Sequence, residues 1–433
     1  MKRLFLIAFW SVLAAAFIGP GTVTTAAKAG ASFGLDLLWA LTFSTLACLL
    51  LQEASARLTV VTGHSLAEAL GGGYRGAGGA FVLVLVLGAV VLGCAAYEAG
   101  NILGAVAGAG LVWSLSPAVL TAILGLAAAG LLWVGSPRTV ALVLSFLVAL
   151  MGAVFLITAW RLAPEWAGLL RGAWVPSLPT GSGVLALGLV GTTVVPYNLF
   201  LGSGLARGQE ISETRFGLGV AVLLGGLISM AVLVVGTAVV GEFGFAALAD
   251  VLRQRLGAWS GPLFAAGLFA AGFSSAVTAP LAAALTARGL FASQDQPELW
   301  SHRSWRYRGI WLAVLGTGVT FGLVGASPIP VILLAQAFNG ILLPFVAVFL
   351  LLAVNDRKLM GADNLNGLWV NLASALVVVV SLALGLTNVA RAGAKALGFA
   401  TPGEGNLLLL SLGVALVLAV PLSLRIRRSR SQR

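Results

Sequence analysis

A chain of 433 residues that is 59% hydrophobic and only 9% charged, with a mean hydropathy of +1.03, cannot cover itself with a water-facing surface, so lipid must be the solvent for most of it. The formal net charge of +11 does not imply nucleic acid as a partner, because the basic residues lie beside apolar runs without aromatic interleaving; anionic lipid and topology account for them. Two cysteines and two histidines leave disulfide, zinc and histidine-based chemistry almost no material, so no cofactor and no enzymatic activity is implied.

Apolar runs near the roughly 20 residues that cross about 30 Å of hydrocarbon recur along the whole chain. They predict twelve spans: Leu4 to Phe33, Leu35 to Val61, Ala80 to Val106, Ala118 to Val134, Thr139 to Trp160, Val184 to Leu205, Leu218 to Val240, Leu263 to Leu290, Gly309 to Val324, Val331 to Val354, Leu368 to Leu386 and Leu407 to Leu424. Continuous rather than alternating apolarity makes them helices, not barrel strands. Ser116-Pro117 and Ser136-Pro137 each place a capping hydroxyl before a proline, as at a helix start. With the amino terminus inside, Arg161, Arg171, Arg253, Arg255, Arg391 and Lys395 fall outside, and the other cations except Lys28 and Arg57 fall inside. The positive-inside rule then puts both termini in the cytoplasm of a prokaryotic inner membrane. Lys2-Arg3 before an apolar stretch also fits a signal peptide, but the apolar character continues to Phe33 and cleavage would leave eleven spans with the wrong charge balance.

Two of the runs are broken in mid-span. The first contains Ile18-Gly19-Pro20-Gly21-Thr22-Val23-Thr24-Thr25 and the sixth Gly191-Thr192-Thr193-Val194-Val195-Pro196-Tyr197-Asn198. In lipid, a backbone break is tolerated only where protein or a water-filled cavity satisfies the freed groups. Paired breaks at corresponding positions of two five-helix sets therefore point to a secondary transporter with a midplane site. The expected organisation is a first repeat over 1–161, an inverted second repeat over 182–354, two additional helices over 365–424 and a basic cytoplasmic tail over 425–433.

At these residues the chain resembles the Nramp divalent-metal transporters. Gly19-Pro20-Gly21-Thr22 lies where that family has Asp-Pro-Gly-Asn, and Ala29-Gly30-Ala31 and Leu37-Leu38-Trp39 follow in register. Val60-Val61-Thr62-Gly63 with Leu66-Ala67-Glu68 looks like the segment after its second helix. Pro196-Tyr197-Asn198-Leu199 falls on Met-Pro-His-Asn-Leu, Ser274-Ser275 on a serine pair, and Asp356-Arg357-Lys358-Leu359-Met360-Gly361 is nearly the family's own string. The resemblance implies an all-α polytopic membrane protein with the LeuT-like inverted-repeat fold, about 12 transmembrane helices with the first and sixth broken, alternating access and ion symport. It also implies where the cargo would bind, and there the chain departs. The family's metal-holding Asp, Asn and Met are Gly19, Thr22 and Val195 here; its third-helix Asp is Ala95 and its sixth-helix His is Tyr197. None of the usual side-chain metal ligands is retained, so usual affinity for Mn²⁺ or Fe²⁺ is not expected.

The remaining candidates for a substrate site are Gly19, Gly21, Thr22, Thr25, Thr192, Val195, Tyr197, Asn198 and, in the tenth span, Gln336. Glu98 and Lys28 are the candidates for a coupling or proton path, with the proton as a possible coupling ion. Lys28 stands six residues past Thr22, about 9 Å along the half-helix, where it either faces a cavity or snorkels outward. Three readings stay open: a carrier of a hard or hydrated cation such as Mg²⁺, a carrier of an amino acid or other small carboxylate held at the positive end of the half-helix, and a channel or non-transporting scaffold.

Overall fold

A computed structural model describes residues 18–73, 77–134, 138–292, 297–396 and 403–431. Among these the chain is helical almost throughout. The elements are α1 (Pro20–Phe33), α2 (Leu38–Thr62), α3 (Leu66–Gly73), α4 (Ala77–Gly110), α5 (Pro117–Val134), α6 (Arg138–Leu162), α7 (Trp166–Trp174), α8 (Gly183–Thr193), α9 (Pro196–Leu205), α10 (Ile211–Gly236), α11 (Phe245–Leu256), α12 (Ser260–Phe291), α13 (Trp305–Leu323), α14 (Pro328–Ala353), α15 (Arg357–Met360), α16 (Leu368–Ala396) and α17 (Glu404–Ser431).

Ten described spans, counting α8 and α9 together, are long and apolar enough to cross a membrane. Two of the twelve expected spans are not among them. Of the first, the part before Ile18 lies outside the described residues, as do the signal-peptide reading and the Ser136-Pro137 cap; the ninth, α13, opens on Trp305-Arg306-Tyr307-Arg308. The expected eleventh run ended at Leu386, but α16 continues through Arg391 and Lys395 to Ala396. The basic residues from Arg425 to Arg430 are helical and continue α17. Between the expected spans, α7 and α11 are short amphipathic helices with basic residues in their last turns, where cations suit the dipole.

Local chemistry accounts for the ends. Gly63 closes α2 in the left-handed conformation (φ 73°), its N–H reaching the Thr59 carbonyl at 2.9 Å. Ser65 and Glu68 form a capping box on α3: the Ser65 N–H donates to Glu68 Oε2 at 2.8 Å and the Glu68 N–H to Ser65 Oγ at 3.4 Å. Ser116 Oγ accepts from the Val119 N–H at 3.4 Å, and Asp356 caps α15 by accepting from the Lys358 N–H at 2.9 Å.

Burial grades the helices from centre to rim. The α8–α9 span has 83% of its apolar window buried inside the protein, and α17, packed on α16, only 11%. At the centre, α1 packs against α10, α14, α8 and α4, while α4 and α12 form the most extensive helix pair. One buried polar cluster gathers near the helix ends. Arg57 of α2, 7% exposed, holds Glu53 at 3.2 Å and donates to the Asn364 carbonyl and Asn366 Oδ1. Glu53 also takes Arg215 of α10 at 2.7 Å, and Asn366 continues through Asn371 (3.0 Å) to Asn355 (2.8 Å). This network ties α2 and α10 to the segment between α15 and α16. An Arg57→Met variant should lose about 3 kcal/mol of stability, because it strips partners from buried polar groups. Thermal unfolding in detergent checks this; a change within roughly 0.5 kcal/mol would mean that the cluster is surface decoration.

Candidate functional site

The two breaks lie against each other. Gly19 caps α1 with an extended backbone (φ −84°, ψ 177°) and Pro20 takes the first helical position, where its missing N–H costs nothing. In the second break, α8 ends at Thr193, Val194 and Val195 are non-helical, and Pro196 opens α9. The ends of three half-helix segments thus converge: the positive starts of α1 and α9, and the negative end of α8.

Side chains close the gap between them. Thr22 Oγ1 and Thr192 Oγ1 are 2.9 Å apart and hydrogen-bonded, which joins the start of α1 to the end of α8. Tyr97 of α4 donates its hydroxyl to the Gly191 carbonyl at 2.7 Å, and its ring meets Tyr197 edge-on with centroids 5.6 Å apart. Gln336 of α14 lies directly on Gly21, so that any side chain at that position would overlap its amide. The approach to the Gly21 backbone is therefore covered by Gln336. Thr25 packs against Gly188 of α8, next to the Gln336 stem. A side-chain carbon built on Gly19, by contrast, would meet Ser275 Oγ at 3.6 Å, an ordinary contact. Ser275 faces the place where the family has its aspartate.

The site is closed and uncharged. Thr22, Thr25, Thr192, Val195, Tyr197, Asn198 and Gln336 are all at most 2% exposed, and Gly19 is half-buried. Thr24 Oγ1, Thr25 Oγ1, Gln336 Oε1 and both polar atoms of the Asn198 amide are buried without a protein partner among the described residues. Buried polar groups are normally satisfied, so this set of unmatched hydroxyl and amide atoms is suited to a polar occupant. No group of three or more His, Cys, Asp or Glu among the described residues could hold a metal ion.

The two proposed coupling residues are not brought together. Lys28 is half-buried and its Nζ lies 5.7 Å from the centre of the Phe243 ring, in the turn after α10. Glu98 is fully buried on α4; Asn101 Nδ2 approaches its Oε2 at 3.4 Å, and Oε1 has no protein partner among the described residues. It packs against Gly318 of α13, where a side-chain carbon would lie 2.8 Å from Glu98 Cγ. Among the described residues no ion pair joins Lys28 to Glu98.

Tyr97 escaped sequence reasoning. It neighbours Glu98, but nothing in a helix pattern says that one tyrosine hydroxyl will reach a carbonyl at a break 94 residues away. If Thr22 and Thr192 couple as the geometry requires, Thr22→Val and Thr192→Val should each destabilise the protein, and a double-mutant cycle should return about 1 kcal/mol of coupling. Additive losses in thermal unfolding would show that the two hydroxyls do not exchange a bond.

Comparison with known proteins places this geometry. A family model described as Natural resistance-associated macrophage protein-like matches residues 11–391. The Divalent metal cation transporter MntH of Pectobacterium carotovorum is 28% identical over 393 residues, covering 87% of this chain and 91% of that protein. The Eremococcus coleocola manganese transporter superposes with a TM-score of 0.72 at 21% identity, over 98% of this chain and 95% of its own. Mhp1, a nucleobase-cation-symport-1 family transporter, superposes at 0.60 with 14% identity, over 98% and 93%. At such identities the structural likenesses establish the fold alone, a LeuT-like helical arrangement.

Proposed function

This chain belongs to the natural resistance-associated macrophage protein-like family, Nramp, and we propose that it is a secondary transporter whose cargo is a hard divalent cation such as Mg²⁺, carried with much of its own water shell. The observation that carries this reading is the chemistry of the centre: hydroxyl, amide and backbone oxygens, with no carboxylate, thioether or imidazole at Gly19, Thr22 or Val195. Mg²⁺ gives up water reluctantly and accepts neutral oxygens around a retained shell, whereas Mn²⁺ and Fe²⁺ are selected by ligands that this site lacks. The name of the MntH relative, a divalent metal cation transporter, supports a divalent cation as cargo.

The carboxylate reading loses two supports. Lys28, its fixed positive charge, is turned to Phe243, and the Gly21 backbone that would receive carboxylate oxygens is covered by Gln336. In the cation reading the occupant lies nearer the negative end of α8, at Thr192 to Val194, with Asn198, Gln336 and Thr25 providing polar atoms around it. Glu98 serves as the proton carrier, with Asn101 orienting one of its oxygens. Residues 1–161 and 182–354 are then the inverted repeats that exchange access, 365–424 are accessory helices, and both termini are cytoplasmic in an inner membrane.

Uptake into proteoliposomes tests the cargo. Mg²⁺ uptake should be saturable and weak in affinity, with Mn²⁺ no better; saturable low-micromolar Mn²⁺ uptake, or amino-acid uptake abolished by Thr22→Val, would overturn the reading. Restoring the family's ligands in a Gly19→Asp, Thr22→Asn, Val195→Met variant should raise Mn²⁺ affinity on the order of a hundredfold, about 3 kcal/mol. Position 19 accepts the new side chain, since its backbone is extended and Ser275 stands at contact distance. Calorimetry reads the gain directly.

Proton coupling has its own test. Glu98→Gln preserves size and hydrogen bonding while removing the titratable proton, so transport by the variant should lose its dependence on pH. An unchanged pH profile would reduce Glu98 to a packing role beside Gly318.

A further inference from the structure

Away from the central site, at the end of the bundle where α3, α12 and α14 finish, lies a cavity of about 2050 Å³. It is larger than the roughly 300–1,000 Å³ of small-molecule sites and leaves room for an extended occupant. Its lining is divided by chemistry. Leu70, Leu83, Phe349, Leu352, Leu359 and Leu424 make an apolar part. Arg207, Arg288, Lys358, Arg425 and Arg428 line it as cations, against the carboxylates of Glu68 and Asp356.

Both carboxylates are already engaged. Glu68 pairs with Arg207, and Asp356 accepts from the Lys358 N–H at 2.9 Å as the cap of α15. Arg288 donates to His302 Nε2 at 2.9 Å; burial, and then Arg288 itself, lower the pKa of that imidazole, so it acts as acceptor and adds no competing cation. Among the described lining residues the cations outnumber the carboxylates. One wall is a single face of α17, formed by Pro421, Leu424, Arg425, Arg428 and Ser429. That helix is the least buried of the described spans, so the cavity borders the lipid.

We propose that this cavity binds an anionic phospholipid, its phosphate held by Arg288, Lys358 and Arg425 and its acyl chains laid on the leucine and phenylalanine side chains. The level is right for a headgroup, because Gly73, Phe291 and Ala353 are the last residues of their helices. Basic pockets between helices at the cytoplasmic side are suited to such headgroups, and guanidinium groups match phosphate geometry. A bound lipid would join the peripheral α17 to α14 and α12, the helices whose ends close the cavity.

The test is thermal unfolding of the purified full chain in nanodiscs of phosphatidylcholine with and without phosphatidylglycerol, together with lipid titration by native mass spectrometry. Phosphatidylglycerol should raise the unfolding temperature, and a Lys358→Glu, Arg425→Glu variant should lose that increase and bind the lipid at least about tenfold more weakly. The variant's unfolding temperature in pure phosphatidylcholine should equal that of the unmodified protein, which establishes that it is folded. Arg425→Lys should keep the lipid effect. Three results would overturn the proposal: an equal increase with inorganic phosphate in phosphatidylcholine discs, no dependence on headgroup charge, or a full phosphatidylglycerol effect in the folded charge-reversal variant.

Discussion

Everything at the centre of this protein follows from the requirement that backbone N–H and C=O groups in lipid be satisfied within the protein. Pro20 opens α1 and Pro196 separates α9 from α8 deep in the bundle, and the helix ends there carry polar groups that water cannot reach. The protein answers with side chains from elsewhere: Tyr97 donates to the Gly191 carbonyl, and Thr22 and Thr192 join hydroxyls across the two breaks. Those bonds hold the half-helix ends together, and the polar atoms left over around them form the candidate site. The close packing that permits this comes from small residues. Gly191 and Gly340 let α8 and α14 approach until a side chain at Gly191 would overlap the Gln336 carbonyl.

The same scaffold can hold cargo of different chemistry, because the fold fixes where the breaks are and only a few side chains decide what is held there. Here the ligand positions have become Gly19, Thr22 and Val195, so what remains is geometry and neutral oxygen. On the proposed cation reading, such a site discriminates by size and by the cost of removing water, not by ligand softness. Glu98 stands apart from this set on α4, with Asn101 on one oxygen and Gly318 behind it. The proposed proton and cargo roles are thereby separable by mutation.

Much of this was legible in the sequence because the signals are one-dimensional. Apolar run length located ten of the described spans, the Val-Pro-Tyr string located the break between α8 and α9, and the Gly-Pro-Gly string located the start of α1. Helix ends set by a local cap, such as Ser116 before α5, were equally readable. Other features depend on partners far along the chain. The outward extension of α16 through Arg391 and Lys395 defeated a hydropathy boundary, since charged residues beyond the hydrocarbon can stay helical. The Tyr97 bond, the covering of Gly21 by Gln336 and the Arg57–Asn366–Asn371 cluster are contacts between distant segments. No periodicity announces them. Lys28 stood between two outcomes on sequence grounds, and its place over Phe243 is settled only by the path of the turn after α10.

The central claim is that the space between the two breaks holds a cation through neutral oxygens and retained water. An experimental structure of the protein with Mg²⁺ tests it most directly. The account expects ion density beside the Thr192 to Val194 carbonyls, with most protein oxygens beyond the roughly 2.1 Å of direct Mg²⁺ coordination and ordered waters between them. A carboxylate-bearing ligand against the start of α1, or no density between the breaks at saturating Mg²⁺, would contradict it.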